Sequence, residues 1–164
     1  MTTDNQEEIL IVVDQDDNVL DYLPRSQVHK KNLLHRTISI SLFNDKGEIL
    51  LHKRSLSKDN NPGFWGNAAG GHVEKGEEYE QAAHKELQEE LGLDSELTFI
   101  KKMYINDPKH QSMTALYKII SNGPFDFNKE EIDEIRFFDK DSLKEIVDKL
   151  SESAKIVLRE QNLI

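Results

Sequence analysis

The chain has 164 residues, a formal net charge of −10 and no cysteine. This length suits a single domain with its own hydrophobic core, and the acidic balance argues against a nucleic-acid polymer or an anionic membrane as partner. The lack of cysteine excludes disulfides, thiolate metal sites and cysteine nucleophiles. The chain does not open on a basic region followed by a long apolar run, so we expect a cytoplasmic protein.

Hydrophobic periodicity and turn signals predict alternating strands and helices along the chain. Strands are predicted at residues 9–13, 19–23, 37–43, 48–53, 97–105, 112–120 and 134–138. Helices are predicted at residues 24–31, 78–91, 141–150 and 153–161. Ser142 and Glu145 form a capping-box pattern at the start of the third helix. This order indicates one α+β or α/β domain over residues 1–164, with a core of about residues 8–150.

Three carboxylates stand close together in the predicted helix 78–91. Glu86, Glu89 and Glu90 occupy positions i, i+3 and i+4, so their side chains project from one helix face. Like charges at this spacing weaken a helix unless a cation lies between them. Mg²⁺ prefers carboxylate oxygens and keeps waters that phosphate can replace. The spacing therefore predicts a metal-assisted phosphate enzyme, the alternative being a solvated acidic helix face.

The segment from residue 71 to residue 93 resembles the Nudix box. The positions in register are Gly71, Glu77, Glu86, Leu87, Glu89, Glu90, Gly92 and Leu93. Lys85 stands where the family usually has arginine. The resemblance implies the Nudix fold, a mixed β-sheet sandwiched between α-helices. It also implies hydrolysis of a phosphoanhydride bond, which we expect in a nucleoside diphosphate linked to another group.

The same resemblance implies roles for individual residues of the box. Mg²⁺ or Mn²⁺ would be bound by Glu86, Glu89 and Glu90, helped by the Gly71 carbonyl. Glu77 would orient the loop and the helix, with Lys85 as its ionic partner. A small-molecule diphosphate is the expected partner, and the oligomeric state stays open.

Residues before the box resemble the Nudix branch that contains isopentenyl-diphosphate isomerase. The segments that carry this likeness begin with His35 and continue through Lys53-Arg54-Ser55 to Pro62-Gly63-Phe64-Trp65. His35 and His72 match two metal-ligand histidines of that branch, the alternative being a structural, hydrogen-bonded role. Val28 stands where the third is expected, with His29 beside it. Gly70 occupies the place of the isomerase cysteine, and glycine has no side chain that can move a proton.

Four further residues are candidates for the substrate site. Lys53 and Arg54 could face a diphosphate, because arginine binds phosphate bidentately, or could end a solvated strand. Trp65 is expected in the core or in the pocket wall. Glu131 matches a loop glutamate that acts as base or extra ligand in many Nudix hydrolases, and its alternative is an exposed acidic turn. An isomerase-like enzyme and a non-catalytic ligand-binding domain are the alternative functions.

Overall fold

A computed structural model describes residues 4–164. Its strands are Ile9–Val13 (β1), Val19–Pro24 (β2), His35–Phe43 (β3), Ile49–Arg54 (β4), Trp65–Asn67 (β5), Ala69–His72 (β6), Thr98–Asn106 (β7), Gln111–Ile120 (β8) and Ile132–Phe138 (β9). Its α-helices are Arg25–Lys30 (α1), Tyr79–Leu91 (α2), Lys140–Glu145 (α3) and Glu152–Glu160 (α4), and Val147–Lys149 forms a 3₁₀ turn. Within the described residues, no helix is both long and apolar enough to cross a membrane.

Strand β3 is the centre of a mixed sheet. It pairs in parallel with β8 along its whole length, from His35 opposite Ser112 to Phe43 opposite Ile120. On its other side it pairs antiparallel with β6 and, near its end, with β4. The parallel β3–β8 pair is buried in the middle of the sheet, as expected for strands covered on both faces. Strand β6 therefore lies beside the central strand of the sheet.

Helices cover both faces of this sheet. On one face, α2 packs through Leu87 and Leu91 against a core that includes Ile40 of β3. On the other face, Leu158 of α4 packs against Leu51 of β4. Alternate residues of a strand point to opposite faces, so neighbouring apolar positions of β4 supply different cores. The predicted mixed sheet between helices, and with it the α+β class, is confirmed.

The ends of the helices follow their capping residues. Helix α2 is stopped by Gly92, which lies in the left-handed region at φ 65°. Helix α3 is capped by Asp139, whose carboxylate accepts from the Ser142 backbone N–H at 2.8 Å. The predicted capping box of Ser142 and Glu145 was wrong, because Ser142 already lies inside the first turn. Helix α3 also ends at Glu145 rather than at residue 150.

Strands β5 and β6 were missing from the sequence prediction. They span only three and four residues and consist mostly of glycine, alanine and asparagine, apart from Trp65 and His72. Such segments have neither β-branched residues nor a period of two. Their strand conformation comes from pairing with β4 and β3. These two strands place residues 66–72 beside the acidic part of α2.

Candidate active site

A cavity of about 360 Å³ opens where β4, β5 and β6 meet the C-terminal half of α2 and the short helix α1. Its wall contains the three carboxylates of the box, a group of histidines, the Arg54 guanidinium and the backbone of Gly70 and Gly71. The cavity therefore brings together groups that lie far apart in the sequence, from α1 to α2. Side chains suited to metal binding and side chains suited to phosphate binding thus lie on the same wall.

The three carboxylates of α2 differ in depth. Glu90 is only 5% exposed, Glu86 is partly buried and Glu89 is exposed. The Gly70 backbone N–H donates to Oε2 of Glu90 at 3.0 Å, which fixes this carboxylate against β6. Gly71 lies so close to Glu86 that a Cβ at position 71 would be 2.4 Å from the Glu86 Cδ. A side chain at position 71 would therefore displace the Glu86 carboxylate.

Burial and mutual repulsion make Glu86 and Glu90 unfavourable as free anions. Desolvation raises the pKa of Glu86, and the charges of Glu90 and Glu89 raise it further. Desolvation likewise raises the pKa of Glu90, with Glu131 as the next cause. A divalent cation among these oxygens would compensate both effects, and hard cations prefer such ligands. The residues present thus fit a Mg²⁺ or Mn²⁺ site.

Lys85 joins the loop before α2 to the helix itself. Its ammonium donates to a Glu77 oxygen at 2.6 Å and to a Glu74 oxygen at 2.8 Å. Partial burial acts against the charge, but these two hydrogen bonds raise the pKa of Lys85. The other Glu77 oxygen accepts from the Glu74 backbone N–H at 2.9 Å. This places Lys85 in the ionic contact with Glu77 that its position in the box implied.

Removing the Lys85 ammonium should loosen the site without unfolding the protein. We expect Lys85→Ala to lower metal affinity and kcat/KM by about tenfold, since partners that orient a metal site typically contribute that much. Lys85→Arg should keep or improve both, because a guanidinium can bind both carboxylates at once. Lys144→Ala, an exposed lysine on α3, is the control. Parent-like kinetics and metal affinity in Lys85→Ala would remove Lys85 from the supporting set.

Glu131 lies at the cavity, although it is forty residues beyond α2 in sequence. It is half-buried, and its Oε2 is 3.8 Å from the Lys58 ammonium. Its charge is among the causes that raise the pKa of both Glu86 and Glu90. Glu131 is therefore close enough to act electrostatically on the carboxylates of α2.

Of the predicted substrate contacts, only Arg54 reaches the cavity among the described residues. Its Nε donates to the Asn60 carbonyl at 2.8 Å, which leaves the rest of the guanidinium for a ligand. Lys53, its neighbour on β4, is not among the residues that line the cavity, and the pairing of β4 with β9 shifts register between the two residues. Trp65 is buried in the core, where its ring meets Phe138 edge-on at 5.2 Å. Lys53 and Trp65 are thus absent from the cavity wall described here.

Three histidines meet at the end of the cavity formed by α1, β3 and β6. Nitrogens of His29, His35 and His72 all lie within 4.8 Å of one another. Nδ1 of His35 is 2.8 Å from the Leu33 carbonyl, and Nδ1 of His72 is 2.9 Å from a Glu8 oxygen. A carbonyl and a carboxylate oxygen accept hydrogen bonds, so both Nδ1 atoms donate. The Nε2 lone pair of His35 is then available to a metal, and that of His72 becomes available when the proton of His29 lies on its Nδ1, because the two Nε2 atoms are 3.2 Å apart.

The histidines carry the protonation state that metal binding needs. Burial first, and next the charge of His72, lower the pKa of His29 and of His35 to about 3. Burial also lowers the pKa of His72 to about 3, with Arg25 as the next cause, despite the nearby Glu8 carboxylate. All three imidazoles are neutral at pH 7. They could hold a transition metal such as Zn²⁺ or Mn²⁺.

His29 could not be recognised from the sequence. Val28 stands at the position that the family resemblance indicates, but the structure buries Val28 fully against Leu10 and Val12. The next residue of α1, His29, turns to the cavity and places its Nε2 3.2 Å from Nε2 of His72. A shift of one position on a short helix had hidden the third histidine. The only sequence signal was its adjacency to Val28.

The sequence is similar to known proteins over most of its length. The NUDIX domain family matches residues 33–160. The uncharacterized Nudix hydrolase PA4841 of Pseudomonas aeruginosa is 38% identical over 131 residues, which are 79% of this chain and 78% of that protein. An isopentenyl-diphosphate Delta-isomerase 2 of Photorhabdus laumondii is 43% identical over 91 residues, or 56% of this chain and 51% of the isomerase.

Solved structures show the same fold. The crystal structure of DR0079 from Deinococcus radiodurans superposes with a TM-score of 0.77 at 23% identity, covering 93% of this chain and 98% of that one. The MutT NUDIX hydrolase from Burkholderia pseudomallei gives a TM-score of 0.64 at 24% identity, covering 77% of this chain and 96% of that one. With the domain match and the related hydrolase, these findings lead to one conclusion: the chain belongs to the Nudix hydrolase family.

Proposed function

We propose that this protein hydrolyses a phosphoanhydride bond in a nucleoside diphosphate linked to another group, and that it uses Mg²⁺ or Mn²⁺. The observation that carries the proposal is the crowding of Glu86, Glu89 and Glu90 on a cavity wall that also presents Arg54. Carboxylates that bind neither metal nor substrate would be more stable if they were separated and solvated by water. Together with a guanidinium, they are suited to a metal-bound diphosphate.

The carboxylates of α2, helped by the Gly71 carbonyl, would hold the cation. When bound, such a metal polarises the phosphoryl oxygens and lowers the pKa of an attached water. Arg54 would bind the diphosphate bidentately and offset the negative field of the protein. Glu131 would accept the proton of the attacking water, which requires a carboxylate at the cavity. Glu77 and Lys85 would hold the loop before α2 in a fixed position relative to the helix.

The His29–His35–His72 cluster supports a second cation of a different kind. Imidazole nitrogens favour Zn²⁺, Mn²⁺ or Fe²⁺ over Mg²⁺, whereas the oxygen site favours Mg²⁺. The Glu8 carboxylate would orient His72, as carboxylates commonly do for histidine ligands. We therefore propose two separable cation sites in one cavity. One is built from carboxylates, and the other is built from histidines.

The test is a substrate panel combined with metal analysis. Nucleoside diphosphate sugars, dinucleoside polyphosphates and nucleoside triphosphates are incubated with protein stripped by chelator, then with Mg²⁺ or Mn²⁺ restored. We expect release of a nucleoside monophosphate only with metal. Mass spectrometry should show that His35→Ala binds one transition-metal ion fewer than the parent. Its hydrolysis should still depend on Mg²⁺. Metal-independent cleavage, or none across the panel, would contradict the proposed function.

The isomerase alternative is favoured by the similarity to isopentenyl-diphosphate isomerases and disfavoured by Gly70. Allylic isomerisation needs one enzyme group that donates a proton to the substrate and another that removes a proton from it. The Gly70 N–H instead holds Glu90, and a Cβ there would be 3.2 Å from the Ile38 carbonyl oxygen. We expect no solvent deuterium in isopentenyl diphosphate by NMR, with metal supplied. Incorporation above a metal-only control would make isomerisation the leading function.

A further inference from the structure

Asn67, the last residue of β5, carries an unused hydrogen-bonding group at the cavity. Its side-chain Nδ2 donates to Oγ of Ser39 at 2.9 Å. Its Oδ1 is buried and has no partner within residues 4–164. Both Asn67 and Ser39 line the cavity. A buried amide oxygen is rarely left without a donor, and because this atom is closed to a water-sized group, the amide must turn toward the cavity to receive one.

The position of Asn67 relates it to the metal-binding wall. Its partner Ser39 lies opposite Gly70 in the β3–β6 pair, and the Gly70 N–H holds the Glu90 carboxylate. On the other side of β5, Asn67 lies opposite Leu51 of β4. This strand continues to Arg54, the guanidinium at the cavity. Asn67 therefore lies between the carboxylates and the cationic side of the cavity.

The chemistry of the free atom limits what it can bind. An amide oxygen accepts hydrogen bonds, so it repels the oxygens of a phosphate. A planar base would need an aromatic wall to stack on, and Trp65 is buried in the core instead. A hydroxyl can donate to Oδ1. It would also suit the reversed amide orientation, because it can accept from Nδ2 as well.

We propose that Asn67 is a specificity-determining residue that binds a sugar hydroxyl of the substrate while the diphosphate lies on the carboxylate and arginine wall. This rests on the proposed function, since it assumes a substrate that carries a sugar beside its diphosphate. Ser39 holds the amide in place and leaves its remaining hydrogen-bonding capacity for the hydroxyl. A substrate without that hydroxyl would leave the buried oxygen unpaired, which is how such sites reject analogues.

The kinetic test compares ADP-glucose with analogues that each lack one hydroxyl of the ribose or of the glucose. In the parent, one analogue should lose at least about tenfold in kcat/KM, mainly through KM. In Asn67→Ala, ADP-glucose should lose as much, and the same analogue should lose nothing more. Asn67→Asp keeps an acceptor and should keep the discrimination. Thermal unfolding checks that both variants fold.

Two kinetic results would overturn the proposal. One is that the parent and Asn67→Ala discriminate equally among the analogues. Asn67 would then bind only water and not the substrate. The other is a loss in Asn67→Ala that falls on kcat alone and is the same for every analogue. Asn128→Ala serves as the matched control, because it also removes an asparagine side chain, whose Oδ1 accepts from the Glu130 N–H. It should change neither the kcat/KM for ADP-glucose nor the discrimination among the analogues.

A binding measurement separates failure of this proposal from failure of the proposed hydrolysis. The side-chain amide resonances of Asn67, assigned by their loss in Asn67→Ala, report contact without turnover. ADP-glucose should shift them, and inorganic pyrophosphate should not. If ADP-glucose leaves them unchanged, the Asn67 proposal fails even where hydrolysis is observed. If they shift while no substrate is cleaved, the hydrolase proposal fails and the sugar contact stands.

Discussion

Glu90→Gln should stabilise the metal-free protein and, at the same time, lower turnover by about 10³-fold or more through loss of a metal ligand. The two effects have one origin. Glu90 is 5% exposed and lies near the charges of Glu131 and Glu86. A glutamine is neutral and can still accept from the Gly70 N–H through its amide oxygen. Removing the buried charge therefore benefits folding and removes the cation site.

The stability effect should depend on pH in a defined direction. The pKa of Glu90 is raised above its ordinary value of 4.5 by burial. The folded protein therefore binds a proton that the unfolded chain has lost, and its stability falls as pH rises above 4.5 towards the folded pKa. We expect Glu90→Gln to gain about 1–3 kcal/mol near pH 8 and almost nothing at pH 4, where both states of the parent are protonated.

Denaturant unfolding at pH 4 and pH 8, with and without Mg²⁺, measures this directly. Mg²⁺ should stabilise the parent at pH 8 but not Glu90→Gln, because binding to the folded state is what shifts the equilibrium. Glu89→Gln is the matched control. Glu89 is exposed, so its exchange should reduce turnover with little gain in metal-free stability. A metal-free Glu90→Gln that is less stable than the parent at pH 8 would contradict this electrostatic account.

The common face of the carboxylates could be predicted from the sequence because it depends only on the helix period. Positions i, i+3 and i+4 meet on one face of any α-helix, and α2 has the predicted length almost to the residue. The difference in depth between Glu90 and Glu89 could not be predicted. It depends on β6, which is too short and too rich in glycine to give a periodic signal.

Long-range contacts explain the other differences between prediction and structure. Trp65 follows the polar loop after β4, so a place at the pocket wall was a reasonable expectation. Its burial depends on Phe138, which lies more than seventy residues later. His29 reaches the cavity because Val28 fills the small core beneath α1. In each case an apolar contact far along the chain decides which side chain faces the cavity, and no local pattern contains that information.

Gly71→Ala should lower kcat/KM by about 100-fold while the fold persists, because a misplacement of about 1 Å in a catalytic group has effects of this size. A Cβ at position 71 would lie 2.4 Å from Cδ and 2.6 Å from Oε1 of Glu86. The Glu86 side chain is flexible and partly buried, so it can turn away without disrupting β6. Its carboxylate would then leave the proposed metal-binding face of α2, and metal affinity should fall together with turnover.

Gly66→Ala is the matched control for this change. It alters a glycine of β5, the strand that precedes β6 in the sequence, where a Cβ would meet the His52 ring at an ordinary distance of 3.5 Å. The double variant Gly71→Ala with Glu86→Asp should recover part of the metal affinity, because the shorter side chain makes room for the methyl group. Isothermal titration with Mn²⁺ measures that recovery, and thermal unfolding confirms the fold. If Gly71→Ala retains parent affinity and turnover, the close contact between residue 71 and Glu86 is not what positions the metal-binding carboxylate.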